Sequence, residues 1–353
     1  MPEILPLLPR LRGGRGLRLV VNKPGLFVGV KSGMIVVREG GKKIAEVAPS
    51  QITRVVVTTR GATLSTALLR LLARHRIPLI VLSGTGFPSA KMLPVRGGAI
   101  KLKRSQYEAQ RGEKGLHLAK RFAWGKVVNQ KAIVYHAGRA RLKTKKSSAK
   151  RLLEAAAAIS GIAEKIRLYE GEDLEDCRMD IMRLEAEAAE IYWSVFQELL
   201  PEGVEFPGRK KRFDRPGDPT NILLNYGYGL LASEVLIALE YVGFEPYVGF
   251  LHKDSPRRPA LAMDLMEEFR QPIVDRVVLK LLRTTDVDRI LENGRLTRDG
   301  RLELVRAFYR RLDETYTFKR RSLPLGDHIL LQARRMALYL LDRAPGYDPF
   351  TMR

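Results

Sequence analysis

A single cysteine, Cys177, stands in the whole sequence. That excludes an intrachain disulfide and any zinc centre built from cysteine thiolates. Long apolar runs are missing too: none reads as long enough to span a bilayer. Prolines and arginines interrupt residues 1–18, so they do not read as a signal peptide. No repeat of solenoid period is visible. Acidic charge is in short supply, with 39 Asp+Glu against 62 Lys+Arg and a net charge of +23. Such an excess points to a polyanionic partner, nucleic acid first and an anionic membrane surface second. The rest is ordinary: 353 residues, 45% of them hydrophobic, suffice for two domains and a sizeable core. The expectation is a cytoplasmic protein that works on nucleic acid.

Residues 17–58 read as β. Short Val- and Ile-rich runs cover 17–22, 25–30, 34–38, 43–47 and 52–58. Turn signals separate them: Lys23-Pro24-Gly25, Lys31-Ser32-Gly33, Gly40-Gly41 and Pro49-Ser50. Loops this short favour meanders over helical crossovers. Residues 62–76 switch to a helical period, and 77–83 is a nearly unbroken apolar run, read as a buried strand. Residues 84–95 are interrupted by glycine and proline. Together these make an α+β unit of about ninety residues. From Gly97 on no convincing strand appears. Helical patterns cover 101–111, 117–137, 181–200, 221–243, 271–282, 302–315 and 322–342.

The segment 96–151 carries seventeen Lys/Arg and two acids, Glu108 and Glu113. Uniform charge of this kind repels itself unless something neutralises it. The plain reading is a solvated face or a linker, strongest for 139–150. The functional reading is a phosphate-contacting surface, with Lys143, Lys145 and Lys146 as candidates. Such contacts give affinity and salt dependence rather than sequence readout. A second basic cluster is Arg209-Lys210-Lys211-Arg212. Between the two the charge inverts, and Glu185, Glu187 and Glu190 fall on one helical pattern. Glu185 lies beside its apolar stripe, where a carboxylate costs desolvation unless it is paired or metal-bound.

The sharpest stretch is Gly249-Phe-Leu-His252, a Pro- and Arg-containing turn, and then a helix from Ala260 with Asp264, Glu267 and Glu268. Residues three and four apart share a helix face, so Asp264 is placed beside either Glu267 or Glu268. An imidazole and carboxylates in one place suit Mn²⁺ or Mg²⁺. The alternative is an exposed acidic helix in which Glu267 pairs with Arg270. Arg257 and Arg258, next to the histidine, are candidate phosphate clamps.

Several ordered motifs together resemble the integrase of CRISPR spacer acquisition, the CRISPR-associated protein one family. They are Leu64-Ser-Thr66, Ile77-Pro78, Gln106-Tyr107, Lys126-Val-Val-Asn129-Gln130, Glu185-x-x-Ala188-Ala189-x-x-Tyr192, Asp218-Pro219-x-Asn221, the stretch from Gly249 to Arg270, and Gln332-Ala-Arg-Arg335. The resemblance covers nearly the whole chain. Ala186 departs from it, standing where the family commonly has glycine, and residues 1–16 match no family feature.

The resemblance implies an α+β multidomain fold. A β-rich N-terminal domain over 1–95 would serve dimerisation, and an all-α C-terminal catalytic domain would cover 96–353. It implies Mg²⁺ or Mn²⁺ held by Glu185, His252 and Glu267, with Asp264 as a further acidic position at the site. It implies double-stranded DNA as substrate, a homodimer, and the small CRISPR-associated protein two bridging two such dimers. The reaction implied joins 3′-hydroxyl ends of captured DNA to a CRISPR repeat by transesterification, with DNA cleavage as a related activity. Three other readings stay open on the residues: an architectural DNA-binding protein, a hydrolytic nuclease for branched DNA, and a casposon-type transposase. The last would be expected to carry an added C-terminal DNA-binding module.

Overall fold

In the computed structural model, residues 3–6, 17–94, 99–211, 214 and 217–352 are described. The Val- and Ile-rich N-terminal runs form β1 (Glu3–Pro6), β2 (Leu17–Val21), β3 (Leu26–Lys31), β4 (Met34–Glu39), β5 (Lys42–Val47), β6 (Ile52–Val57), β7 (Thr63–Leu64), β8 (Leu79–Leu82) and β9 (Pro88–Met92). They build two sheets, one in the order β1-β2-β6-β8-β9 and one in the order β5-β4-β3-β7.

The expected meander is present in β3–β4–β5, which pair antiparallel. Its two-residue turns, Ser32-Gly33 and Gly40-Gly41, hold both central residues at positive φ. That geometry matches the right-handed strand twist of a tight hairpin. The meander expectation fails for β2, β6 and β8, which pair in parallel. The route from β2 to β6 runs through the second sheet, and that from β6 to β8 through α1 (Thr66–Arg74). The physical reason lies in burial on both faces. Leu19, Val21, Val55, Val57 and Leu79 enter the N-terminal core, while Val20, Val56 and Ile80 enter the helical core. Continuous apolar runs suit parallel strands covered on both sides. The stretch interrupted by glycine and proline holds β9, an antiparallel edge strand on β8.

The remainder is helical apart from two hairpins. Its helices are α2 (Ile100–Ala109), α3 (Glu113–Arg141), α4 (Lys146–Leu168), α5 (Leu174–Ser194), α6 (Pro219–Val242), α7 (Ala260–Met266), α8 (Arg276–Thr284), α9 (Val287–Ile290), α10 (Arg298–Asp313) and α11 (Leu325–Leu340). The stretch 139–150 is no linker: α3 runs to Arg141 and α4 begins at Lys146. The hairpins, β10 (Leu291–Glu292) with β11 (Arg295–Leu296) and β12 (Thr315–Phe318) with β13 (Arg321–Pro324), correct the expectation of no strand after Gly97. Asn293-Gly294 is a legible turn signal for the first. Lys319-Arg320 gives none for the second, although both residues take positive φ.

Helix α6 starts with a side-chain cap, Asp218 Oδ1 accepting from the Asn221 N–H at 2.8 Å, and ends on left-handed Gly243. By length and composition it is apolar enough to cross a bilayer, which corrects the reading that no run is. Here it is buried at the centre of the core. Side chains tie the two regions together. Arg18 Nη1 donates to Asp313 at 3.0 and 3.1 Å and stacks over Tyr309, while Arg54 pairs with Glu234 on α6.

Candidate active site

Side chains from α2, α5 and α7 shape the His252 loop, Arg178 of α5 donating from Nε to the Phe250 carbonyl at 3.0 Å. Gln106 on α2 donates from Nε2 to the Glu245 and Val248 carbonyls, each at 2.8 Å. Asp264 on α7 takes the other side and is fully buried. Its carboxylate accepts the backbone N–H groups of Phe250 (2.6 Å), Leu251 (3.1 Å) and His252 (2.8 Å). It also lies 2.7 Å from His252 Nδ1. Gly249 is required here: a Cβ would meet the His252 carbonyl at 2.5 Å and Ala260 at 2.8 Å. With Nδ1 committed to Asp264, Nε2 is the ring nitrogen left for other work. Burial works against a charged imidazole, but the hydrogen bond and charge of Asp264, with Glu267 nearby, hold the His252 pKa above its ordinary value.

Glu267 follows α7 directly, where the chain turns into a wide π-helical segment, Arg270–Asp275. Pro272 within it has no N–H to complete a normal helical bond. The Glu267 carboxylate meets two cations. Its Oε1 lies 2.9 Å from Arg270 Nη2, and its Oε2 lies 2.8 Å from Lys126 Nζ on α3. Lys126 also pairs with Glu185 on α5. Burial would raise the Glu267 pKa, but Arg270, Lys126 and His252 outweigh it and hold the group ionised. Burial likewise opposes the charge on Lys126, and Glu185 and Glu267 overcome it. Side-chain exposure is 3% for Glu267, 15% for Lys126 and 17% for Glu185, against 33% for His252. The histidine therefore lies nearest the solvent.

The structure separates the two glutamates that spacing left equal. Glu267 faces the cations, as in the alternative pairing with Arg270, but the pair is buried rather than exposed. Glu268 faces the core and holds the C-terminal strap. It accepts from Phe350 N at 2.7 Å, from Gln332 Nε2 at 3.0 Å and from the Tyr347 hydroxyl. Asp264 supports His252 rather than standing free: its oxygens are taken up by the loop. On the far side of Arg270, which lies 4.6 Å over the Tyr228 ring, Asp275 accepts from Tyr228 (2.6 Å) and Tyr192 (2.8 Å). Burial pushes its carboxyl up to about 6.

The basic candidates divide. Lys143, Lys145 and Lys146 are exposed in the α3–α4 turn, with Lys145 3.0 Å from Glu202. Lys210 and Lys211 lie at the surface, as do Arg257 and Arg258 beside the His252 loop. Arg209 instead turns inward. It donates to Asn221 (2.9 Å) and Asn225 (2.7 Å) and lies over Trp193 and Tyr228. Its donors are occupied by protein, so it reads as an anchor for this segment. Arg212 lies outside the described residues.

Sequence reasoning missed Lys126 as a partner of the glutamates. Its one local signal was a charge embedded in the apolar run Phe122-Ala-Trp-Gly-Lys-Val-Val. Among the described residues, no three His, Cys, Asp or Glu side chains converge as a ready-made metal site. The residues nevertheless fit a divalent cation. Two carboxylates already share one cationic group, and a preoriented imidazole lies near one of them, Glu267. Oxygen donors with one imidazole suit Mg²⁺ or Mn²⁺.

Comparison with known proteins places this chain in a family. The family model described as CRISPR associated protein Cas1 matches residues 19–310. The chain belongs to the Cas1 family. Among curated relatives, CRISPR-associated endonuclease Cas1 1 of Archaeoglobus fulgidus is 33% identical over 335 residues, covering 92% of this chain and 96% of that one. The Cas1 1 of Thermus thermophilus is 34% identical over 345 residues, covering 95% and 99%. Of the solved structures, a casposase bound to integration product superposes with a TM-score of 0.78 at 25% identity, covering 94% of this chain and 92% of that one. A Cas1 protein of Thermotoga maritima has a TM-score of 0.73 at 19% identity, covering 95% and 99%. Both share the fold found here, in which a β-rich N-terminal region is followed by a helical one.

Proposed function

We propose that this Cas1-family chain is a divalent-metal-dependent DNA integrase and endonuclease of CRISPR adaptation. It joins 3′-hydroxyl ends of captured DNA to a repeat by transesterification. The observation that carries the reading is that Glu185 and Glu267 share Lys126, with a histidine aligned by Asp264 near Glu267, inside a chain of net charge +23. Surrounding positive charge brings the polyanion in, and the acidic pair is where the chemistry would occur.

Strand transfer is an in-line displacement at phosphorus, and the charge that builds on the oxygens must be stabilised. Glu185, Glu267 and His252 Nε2 are the groups that would hold Mg²⁺ or Mn²⁺, which supplies Lewis-acid stabilisation of those oxygens. Asp264 keeps the imidazole in one tautomer and orientation. Arg270 keeps Glu267 ionised and oriented. Arg257 and Arg258, exposed on the same loop, would contact phosphate. Lys143, Lys145, Lys146, Lys210 and Lys211 add sequence-independent affinity. The working assembly is a homodimer through the β-rich region, with two dimers bridged by CRISPR-associated protein two. One solved neighbour of the same fold is a Cas6-RT-Cas1–Cas2 complex. The exposed lysines and arginines supply the positive charge that a DNA partner requires.

A second reading, hydrolytic cutting, is supported by the names of the curated relatives, which are endonucleases. It uses the same residues, with water in place of the 3′-hydroxyl. A supercoiled plasmid incubated with short duplex DNA, Mn²⁺ and the partner protein decides between them. Joining gives plasmid covalently linked to the duplex and is lost with 3′-dideoxy ends. Nicking that is indifferent to those ends would leave only the nuclease.

A further inference from the structure

Helix α3 presents one short segment to both sides of the site. Gly125 lets the C-terminal strap come close: a Cβ there would meet Pro349 at 2.7 Å. One turn on, Asn129 is fully buried and clamps the strap. Its Nδ2 donates to the Glu268 carbonyl (2.8 Å) and the Phe350 carbonyl (2.9 Å), and its Oδ1 accepts from Met352 N (2.7 Å). These bonds fix the rotation and height of α3. The residue they aim is Lys126, whose ammonium sits between Glu185 of α5 and Glu267 at the end of α7. A long side chain held from behind at this spot is a built feature. The stem is packed, and the charge is set where two carboxylates share one counter-ion.

Two carboxylates held close together, one buried and one half-buried, repel each other without a cation. Arg270 pairs directly with Glu267, and its charge reaches Glu185 only at longer range, whereas Lys126 pairs directly with both. Lys126 is thus the group that compensates both. We propose that Lys126 is the resident cation of the metal-free site: its ammonium holds Glu185 and Glu267 in register, and a divalent ion entering between them must displace it. This rests on the metal reading above. It makes Lys126 a positioning residue with opposite effects on the two states of the protein. Removing it destabilises the metal-free form, because buried Glu267 and half-buried Glu185 lose their shared partner. The same removal strengthens metal binding, because nothing has to be moved aside.

The test is Mn²⁺ titration by calorimetry, with thermal melts in EDTA and in saturating Mn²⁺, on the full chain and its variants. Lys126→Met should melt roughly 5–10 °C lower in EDTA, the size expected for breaking a buried pair. It should bind Mn²⁺ about tenfold more tightly or better, a change of about 1.4 kcal/mol. Saturating Mn²⁺ should recover most of its lost melting temperature. Lys126→Arg keeps the charge and should match wild type in EDTA, with no gain in Mn²⁺ affinity. If methionine unfolds the chain, Lys126→Gln carries the same comparison. Equal Mn²⁺ affinity in wild type and Lys126→Met, or a melting deficit unchanged by Mn²⁺, overturns the proposal while leaving the metal site standing. If wild type binds Mn²⁺ no better than Glu267→Gln, the metal reading falls, and this proposal with it.

Discussion

Glu267 and Glu268 are neighbours in the chain, both buried, and opposite in behaviour. Burial raises the pKa of both. At Glu268 it prevails, and the carboxyl is pushed up to about 7 although Phe350 N, Tyr347 and Gln332 donate to it. At Glu267 the neighbours are Arg270, Lys126 and His252, and their charge overrides burial and keeps the group ionised. Neutral donors satisfy a carboxylate, and cations fix its charge. The difference sorts the two sides of this segment. The Glu268 side, with Asn129 and Gln332, is a closed polar network that holds the C-terminal strap. The Glu267 side concentrates charge that only an added cation or anion can use, which is where reactive sites are found.

Exchanging the two is the hardest test of that comparison. Glu267→Ala should abolish integration, a loss of more than about 10³-fold, with duplex binding nearly unchanged. Glu268→Gln should keep integration within a few-fold and lower the melting temperature by a few degrees, since an amide retains only part of the network. The reverse pattern in a plasmid integration assay would move the site to the other face of the segment. Next in size is Asp264→Asn. The amide still fills the space but no longer holds Nδ1 as an acceptor of fixed charge. Integration should fall about 10- to 100-fold, the usual effect of a group behind a metal ligand. Unchanged activity would mean that the loop alone sets the imidazole.

How much of this was legible depends on how local the cause is. The β-hairpin turns were readable because Ser32-Gly33 and Gly40-Gly41 state their own backbone geometry. The buried strand at 77–83 was readable from its apolar run. The parallel pairing of β2, β6 and β8 was not, because it comes from two cores entered by alternate residues of the same strands. The π-helical turn at Arg270–Asp275 interrupts a pattern that looked like a plain helix, with Pro272 its one visible cause. Within the site, spacing brought His252, Asp264 and the two glutamates to one region but could not rank Glu267 over Glu268. Their difference is made by Lys126 and Arg270 on one side and the strap from Tyr347 to Met352 on the other. Two of these, Lys126 and the strap, lie far away in the chain, so no local pattern announces them. Arg209 is the converse case: nothing in the basic run Arg209-Lys210-Lys211-Arg212 marks one candidate for DNA contact from the next, yet Arg209 is folded in over Trp193 and Tyr228.

A smaller effect is expected at the exposed bases, where charge acts without geometry. Charge reversal of Lys143, Lys145 and Lys146 together should lower duplex affinity about tenfold at moderate salt. The slope of log affinity against log salt should become shallower by about 0.9 for each phosphate that is no longer neutralised. Integration at saturating DNA should be unaffected, which separates these residues from Glu267. An unchanged slope in binding titrations would assign the turn to the solvated surface. The ion pair of Lys145 with Glu202 does not compete with this role, since exposed pairs contribute little.

The smallest effect concerns Asp275, which repeats the Glu268 environment on the far side of Arg270. Its partners are the hydroxyls of Tyr192 and Tyr228. Burial pushes its carboxyl up to about 6 from an ordinary 3.8, even with Arg209 and Arg270 nearby. The fold therefore favours the protonated form more than the unfolded chain does. A carboxyl raised in this way adds stability that is full below its unfolded pKa and is lost as pH rises through about 6. Asp275→Asn cannot titrate and lacks that loss. The melting temperature of wild type minus that of Asp275→Asn should thus shrink by a few degrees between pH 4.5 and 7.5, roughly the size that one buried group gives in a chain of this length. A difference that stays flat across that range would mean that Arg209 and Arg270 keep Asp275 ionised, as Arg270 and Lys126 do for Glu267. The contrast between neutral and cationic partners would then hold for Glu268 alone.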